Sequence, residues 1–386
     1  MNKVDKLISE LSPNGIEYIS LKEVASINRG KRVTKNQLNN KYKIPVYSGG
    51  VTPMGYYTEY NQQANTTTVV KYGTAGFVNF IEESFWANDV CYCIKPLEKE
   101  ILNKKFLFYY LKSKQNLLQS LKIDATPAHL PTDVIKNFEI PTPPLKIQEE
   151  IVRILDKFTE LEAELEAELE ARKKQYEYYR NALLTFDNKN GGGQITWTTL
   201  GEIGKTSMCR RIFKNQTTEK GEIPFYKIST FGKKANSFIS YKLYNKYRNN
   251  YSFPKKGDVL ISASGTIGRT IIYDGKPAYF QDSNIVWIDN DQKKVLNKFL
   301  YYFYSTVRWN TQGGTIKRLY NSKLESVKIP IPPISLQKHI VSILDEFYTL
   351  ANDLSIGIPA EQKARKKQYE YYRHELLTFK NQGGGN

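Results

Sequence analysis

Residues 171–180 read ARKKQYEYYR, and residues 364–373 read the same ten letters. Both copies are followed two residues later by LLTF, at Leu183–Phe186 and Leu376–Phe379. Working back from each block, Ile140-Pro141-x-Pro143-Pro144 matches Ile329-Pro330-x-Pro332-Pro333. Gln148 then matches Gln337, Ile151 matches Ile340, and Leu155-Asp156 matches Leu344-Asp345. The fronts agree more loosely: Leu21-x-Glu23 with Leu200-x-Glu202, Arg32 with Arg211, and Ile44-Pro45-x-Tyr47 with Ile223-Pro224-x-Tyr226. Gly73-Thr74-Ala75-Gly76 parallels Gly265-Thr266-Ile267-Gly268. The chain is a duplication, each half a divergent front of about 120–130 residues and a similar rear of about 45.

The rears read as helices. Ile151, Leu155, Phe158, Leu161, Leu165 and Leu169 recur at steps of three or four, which puts them on one face. Pro143 and Pro144 mark the start, and Glu-rich early turns followed by Arg172, Lys173 and Lys174 suit the helix dipole. Residues 145–186 would extend about 60 Å at the helical rise. Gly357-Ile358-Pro359 predicts a break in the second copy. Each stripe needs a partner, and the natural one is the other copy, packed antiparallel. Gly191-Gly192-Gly193 reads as a linker. The six glutamates between Glu160 and Glu170 read as a solvated face.

The fronts read as mixed α/β. Short β-rich runs (residues 66–72, 90–94, 259–262, 270–273 and 284–288) are punctuated by Gly, Pro and Asn. Aromatic-rich helices are predicted over 104–112 and 298–304, their rings read as core.

The chain has 386 residues with 56 Lys and Arg against 39 Asp and Glu, a net charge of +17 that favours a polyanionic partner. The excess is local. No acid occurs in residues 24–58 or 223–257, in corresponding places of the two halves. Lysine and arginine there can displace phosphate counterions without a carboxylate to repel the backbone. The candidate DNA-binding residues are Arg29, Lys31, Arg32, Lys35, Tyr47 and Lys71 in the first half. In the second they are Arg210, Arg211, Lys214, Tyr226, Lys227, Lys233 and Lys234. Ile151, Leu155, Phe158, Leu165, Tyr176, Ile340, Leu344, Phe347 and Tyr369 are candidates for the spacer helices and for docking a partner.

Catalytic motifs are not found. Gly204-Lys205-Thr206 has Thr199 where a phosphate loop needs glycine. Asp274-Gly275-Lys276, with Asp258 upstream, is half of a nuclease-like pattern and has no counterpart in the first half. Cys91-x-Cys93 has no second pair, and His129, His339 and His374 are scattered, so no metal site is expected. Asp5 and Glu10 interrupt the only apolar stretch at the start, and nothing approaches eighteen apolar residues in a row. A cytoplasmic protein without membrane contact is expected.

Two variable fronts, each closed by I-P-x-P-P-[LI]-x-x-Q-x-x-I-x-x-x-L-D and a long helix ending in L-L-T-F, resemble the specificity subunit of Type I restriction–modification enzymes. Residues 140–156 and 329–345 carry the match, supported by Leu21-x-Glu23 and Gly265–Gly268. The sequence departs from the pattern at Ala75, where isoleucine is usual, and at Gly357-Ile358-Pro359. The resemblance implies an α+β protein with two target recognition domains related by a pseudo-two-fold axis and separated by two long antiparallel coiled-coil helices. The domains would be residues 1–140 (with a short N-terminal helix) and 195–329, and the helices 141–187 and 330–380. It further implies a non-catalytic subunit that binds a bipartite, asymmetric double-stranded DNA site. Two methyltransferase subunits and restriction–translocase subunits would be its partners, and S-adenosylmethionine, ATP and Mg²⁺ would belong to them. The alternatives are a two-domain DNA-binding protein without such partners and a stand-alone nuclease.

Overall fold

The computed structural model describes residues 3–186, 195–311, 317–352 and 356–380. The glycine linker at 191–193 lies outside them. The chain divides into two compact units, residues 1–166 with 361–386, and residues 167–360.

In the first unit, β1 (Tyr18–Ser20), β2 (Ala25–Arg29), β3 (Ile44–Tyr47), β4 (Tyr56–Tyr57), β5 (Thr66–Val70), β6 (Val78–Ile81), β7 (Trp86–Ala87), β8 (Cys91–Pro96) and β9 (Glu139–Pro141) form three sheets. Their orders are β2-β8-β5-β6, β4-β3-β7 and β1-β9. β5 is buried throughout, as its β-branched TTTVV run requires of a strand covered on both faces. α1 (Lys3–Leu11) and α2 (Lys104–Ser113) pack on this framework. The Asn103 side chain caps α2 by accepting from Lys105 N and Phe106 N. Phe106, Leu107, Tyr109 and Tyr110 are core, as expected of those rings. After the Pro143-Pro144 pair comes α3 (Leu145–Leu184).

The second unit repeats the plan with β10 (Thr196–Thr199), β11 (Gly204–Ser207), β12 (Ile223–Tyr226), β13 (Phe238–Ile239), β14 (Val259–Ser262), β15 (Thr270–Ile272), β16 (Tyr279–Phe280), β17 (Ile285–Asn290) and β18 (Lys328–Ile331). The orders β11-β17-β14-β15, β13-β12-β16 and β10-β18 reproduce those of the first unit strand for strand. α4 (Tyr241–Asn250) has no counterpart in the first unit, whereas α5 (Asn297–Tyr304) corresponds to α2. The second rear is two helices, α6 (Ile334–Asn352) and α7 (Ile358–Leu376), so the predicted break is present.

The unit boundaries fall inside helices. α3 gives residues 145–166 to the first unit and 167–184 to the second, and α7 gives residues 361–376 to the first. Each unit is therefore completed by the tail of the other copy. In the first, Phe158 stacks on Tyr372 (5.5 Å, 28°), and Leu376 and Leu377 join the core that holds Ile151 and Leu155. In the second, Phe347 stacks on Tyr179 (5.0 Å, 17°), and Leu184 joins Ile340 and Leu344. The closing phenylalanines repeat the exchange: Phe379 lies 6.3 Å from Phe106, and Phe186 lies 6.4 Å from Phe299. In the second unit Tyr176 meets Tyr348 at 6.2 Å while Tyr179 meets Phe347, so the paired segments run antiparallel. Glu162 departs from the expected solvated face. It is half-buried, one carboxylate oxygen lacks a hydrogen-bond partner among the described residues, and burial raises its pKa.

Candidate nucleic-acid interface

The repeated motif fastens each front to its helix. Gln148 is fully buried; its Nε2 donates to the carbonyls of Ile101 (2.8 Å) and Pro143 (2.7 Å), and its Oε1 accepts from Asn103 N (2.8 Å). Gln337 makes the same three bonds, to Lys294 O (2.8 Å), Pro332 O (2.8 Å) and Leu296 N (2.9 Å). One helical face on, Asp156 accepts from Lys105 Nζ (2.9 Å) and Tyr109 Oη (2.6 Å). Asp345 accepts from Lys298 Nζ (2.5 Å) and Tyr302 Oη (2.6 Å). These anchors make the front and the start of its rear helix one body, which fixes how the basic loops are presented.

In the first unit the basic loop after β2 is pinned to β7. Gly30 passes so close that a Cβ there would lie 2.1 Å from the Ala87 carbonyl oxygen. Lys31 N donates to Ala87 O (2.9 Å), and Trp86 Nε1 donates to Lys31 O (2.8 Å). The buried Asn88 side chain accepts from Val33 N (3.1 Å) and donates to Val33 O (3.0 Å). Arg29 is steadied by the Asp89 carbonyl through Nε (3.1 Å) and Nη2 (2.9 Å). Arg29, Lys31, Arg32 and Lys35 are all exposed on this held loop. Lys35 lies on a one-turn helix, Lys35–Gln37, closed by Gln37 Oε1 accepting from Thr34 N (2.9 Å).

The second unit does the same with β16. Tyr279 Oη donates to Arg210 O (3.0 Å), and Arg211 Nε pairs with Asp282 (2.8 Å). Gln281 Oε1 accepts from Ile228 N (2.9 Å), tying the 227–234 loop to the same segment. Lys214 lies on the turn Lys214–Gln216, closed by Gln216 Oε1 accepting from Phe213 N (2.9 Å). Arg210, Arg211, Lys214, Lys233 and Lys234 are exposed and Lys227 is half-buried. Residues 279–282 thus gather Arg210, Arg211 and Lys227.

Three candidates stand apart. Tyr47 is half-buried edge-on to Phe85 (5.6 Å), and burial raises its pKa. Tyr226 stacks on Phe280 (5.8 Å). Lys71 lies over the Tyr72 and Tyr92 rings at 5.2 and 5.6 Å, drawn to the protein rather than to solvent. Among the rear-helix candidates, Ile151, Leu155, Ile340 and Leu344 are buried, while Phe158, Leu165, Tyr176, Phe347 and Tyr369 are half-buried. Phe158 meets Tyr369 and Tyr372 in one unit, and in the other Tyr176 meets Tyr348 and Phe347 meets Tyr179. Tyr178 and Tyr371 are 68% and 61% exposed at the same position of the two identical blocks.

The chemistry-bearing groups elsewhere are engaged structurally. Asp258 accepts from Lys255 N (2.8 Å) and Asn297 Nδ2 (3.1 Å), and Asp274 pairs with its neighbour Lys276 (3.6 Å). Burial pushes the Cys91, Cys93 and Cys209 thiols up to about 12, so they are not thiolates at neutral pH. Among the described residues no group of His, Cys, Asp and Glu could hold a metal, and no helix is long and apolar enough to cross a membrane.

The family model described as Type I restriction modification DNA specificity domain matches residues 13–171 and again 194–364. A Haemophilus influenzae protein named as a type I restriction enzyme specificity subunit is 45% identical, over 96% of this chain and 97% of that one. The Escherichia coli EcoR124I/EcoR124II specificity subunit is 29% identical, over 98% and 97%. Among solved structures, the S subunit of a Mycoplasma genitalium Type I restriction–modification system superposes with a TM-score of 0.60 at 18% identity, over 94% of this chain and 96% of that one.

Proposed function

The chain belongs to the Type I restriction–modification specificity family, and on that premise we propose that each unit reads one half of a bipartite double-stranded DNA site through its pinned basic loop. The readers are residues 1–140 and 195–329, with the rear segments 141–187 and 330–380 as spacers. Recognition without chemistry is the role of such a subunit. The observation that carries the reading is the duplication of exposed cations on loops held to β7 and β16. Preorganised cations meet phosphates with little further ordering, and neighbouring amides and guanidiniums can address base edges.

Methyltransferase subunits dock on the rear helices in this reading. Support comes from Tyr178 and Tyr371, large exposed rings at one position of two identical blocks, which would offer two copies of a partner the same surface. Restriction–translocase subunits join through that assembly, and S-adenosylmethionine, ATP and Mg²⁺ act in the partners. Methylome sequencing of cells with and without the gene tests the proposal. Loss of one bipartite methylated motif is expected, together with co-purification of a methyltransferase. An unchanged methylome overturns it.

A further inference from the structure

The two fronts differ between the small sheet and the central one. Residues 58–65 join β4 to β5 without a helix, whereas the segment between β13 and β14 contains α4. α4 reads YKLYNKYRNN and is capped by the Ser240 side chain accepting from Leu243 N (3.3 Å). Tyr244 is buried, and Leu243 and Tyr247 pack against the same core. At 100° per residue the opposite face carries Lys242, Asn245, Lys246 and Asn249. Lys242, Lys246 and Asn249 are exposed and Asn245 is half-buried.

That face is basic and carries uncommitted amides. α4 contains no acid, and the acid beside it, Glu222, accepts from Tyr241 N (2.8 Å) at the first turn. Among the described residues neither Asn245 nor Asn249 has a side-chain hydrogen-bond partner, while Asn250 donates to Lys246 O (2.7 Å). The far end of α4 adjoins the pinned loop: the Arg210 guanidinium lies over the Tyr251 ring at 5.2 Å. Phosphate-binding cations and a helix with free amides are therefore neighbours in one unit.

Resting on the proposed DNA-binding function, we infer that α4 enters the major groove of the second half-site. Asn245 and Asn249 read base edges there, and Lys242 and Lys246 hold the flanking phosphates. An α-helix fits that groove, and a carboxamide pairs bidentately with adenine, which makes adenine the predicted partner. The first half-site is read without such a helix.

The test uses the full chain assembled with its methyltransferase partner, with motif mapping by methylome sequencing and binding measured across salt concentrations. Asn245→Ala with Asn249→Ala should make one or two positions of the second half-site degenerate and lower cognate affinity about 10–100-fold. The first half-site should stay unchanged, an internal control for folding and assembly. Lys242→Ala with Lys246→Ala should weaken all sequences alike and flatten the log–log salt slope by about one per lost contact. An asparagine variant that keeps the full motif with affinity within about twofold overturns the inference, as does one that loses the methyltransferase instead. If the wild-type complex methylates no specific sequence, the DNA reading itself fails, and the two failures are thereby distinguished.

Discussion

Gln148 and Gln337 hold the same post in the two units, each with three hydrogen bonds in a space that admits no water-exposed alternative. Truncation leaves an amide N–H and two carbonyls unsatisfied. Gln148→Ala or Gln337→Ala should therefore cost roughly 2–4 kcal/mol in chemical denaturation. Glu150 gives a pH test. Arg153 at 2.7 Å, and then Lys3 at 2.9 Å, hold its carboxyl down to about 2. A carboxylate depressed below its unfolded value of about 4.3 stabilises the fold above that value and loses the contribution as pH falls toward about 2. Glu150→Gln should lower Tm at neutral pH, and the gap should shrink as pH falls from about 5 to 3. The pairing of Gln148 with Gln337 is visible in the sequence, but their role is not. Most of their partners are backbone groups some forty residues away, and main-chain carbonyls leave no signature in side-chain identity.

The long helix is the most legible element, because a stripe at steps of three or four from Ile151 to Leu169 has no other regular explanation. The exchange of tails follows from the same stripe, which needs the other copy as its antiparallel partner, but which rings meet does not. The stacking of Phe158 on Tyr372 and of Phe347 on Tyr179 sets the register, which two identical blocks leave open. α4 was hidden differently: its apolar positions Leu243, Tyr244 and Tyr247 are few, and lysines and asparagines fill the rest. Phe158→Ala and Phe347→Ala should each cost about 1–3 kcal/mol by thermal or urea unfolding, below the full core value since both rings are half-buried. The sequence Leu161-Glu162-Ala163-Glu164 recurs at once as Leu165-Glu166-Ala167-Glu168, and this tandem tetrad gives another prediction. One more tetrad adds ~6 Å of helix against ~3.4 Å per base step, so the gap between half-sites should shift by one or two base pairs in methylome maps. An unchanged gap would count against a spacer role.

Across the whole chain the charge of +17 is an average over unlike parts: glutamate-rich helix, and fronts with acid-free stretches. Binding should be strongly salt-dependent for that reason. Replacing Lys31, Arg32 and Lys35 together by alanine should reduce the magnitude of the log–log slope by up to about three in fluorescence anisotropy titrations. The exchanged tails also set an order of synthesis. Residues 167–360 emerge as one block, but the first unit waits for residues 361–380 before Phe158 and Leu155 are covered. At about 5–20 residues per second that interval is roughly 10–40 s, long enough for an uncovered apolar stripe to meet chaperones or other nascent chains. The second unit, although encoded later, is the first that translation can complete.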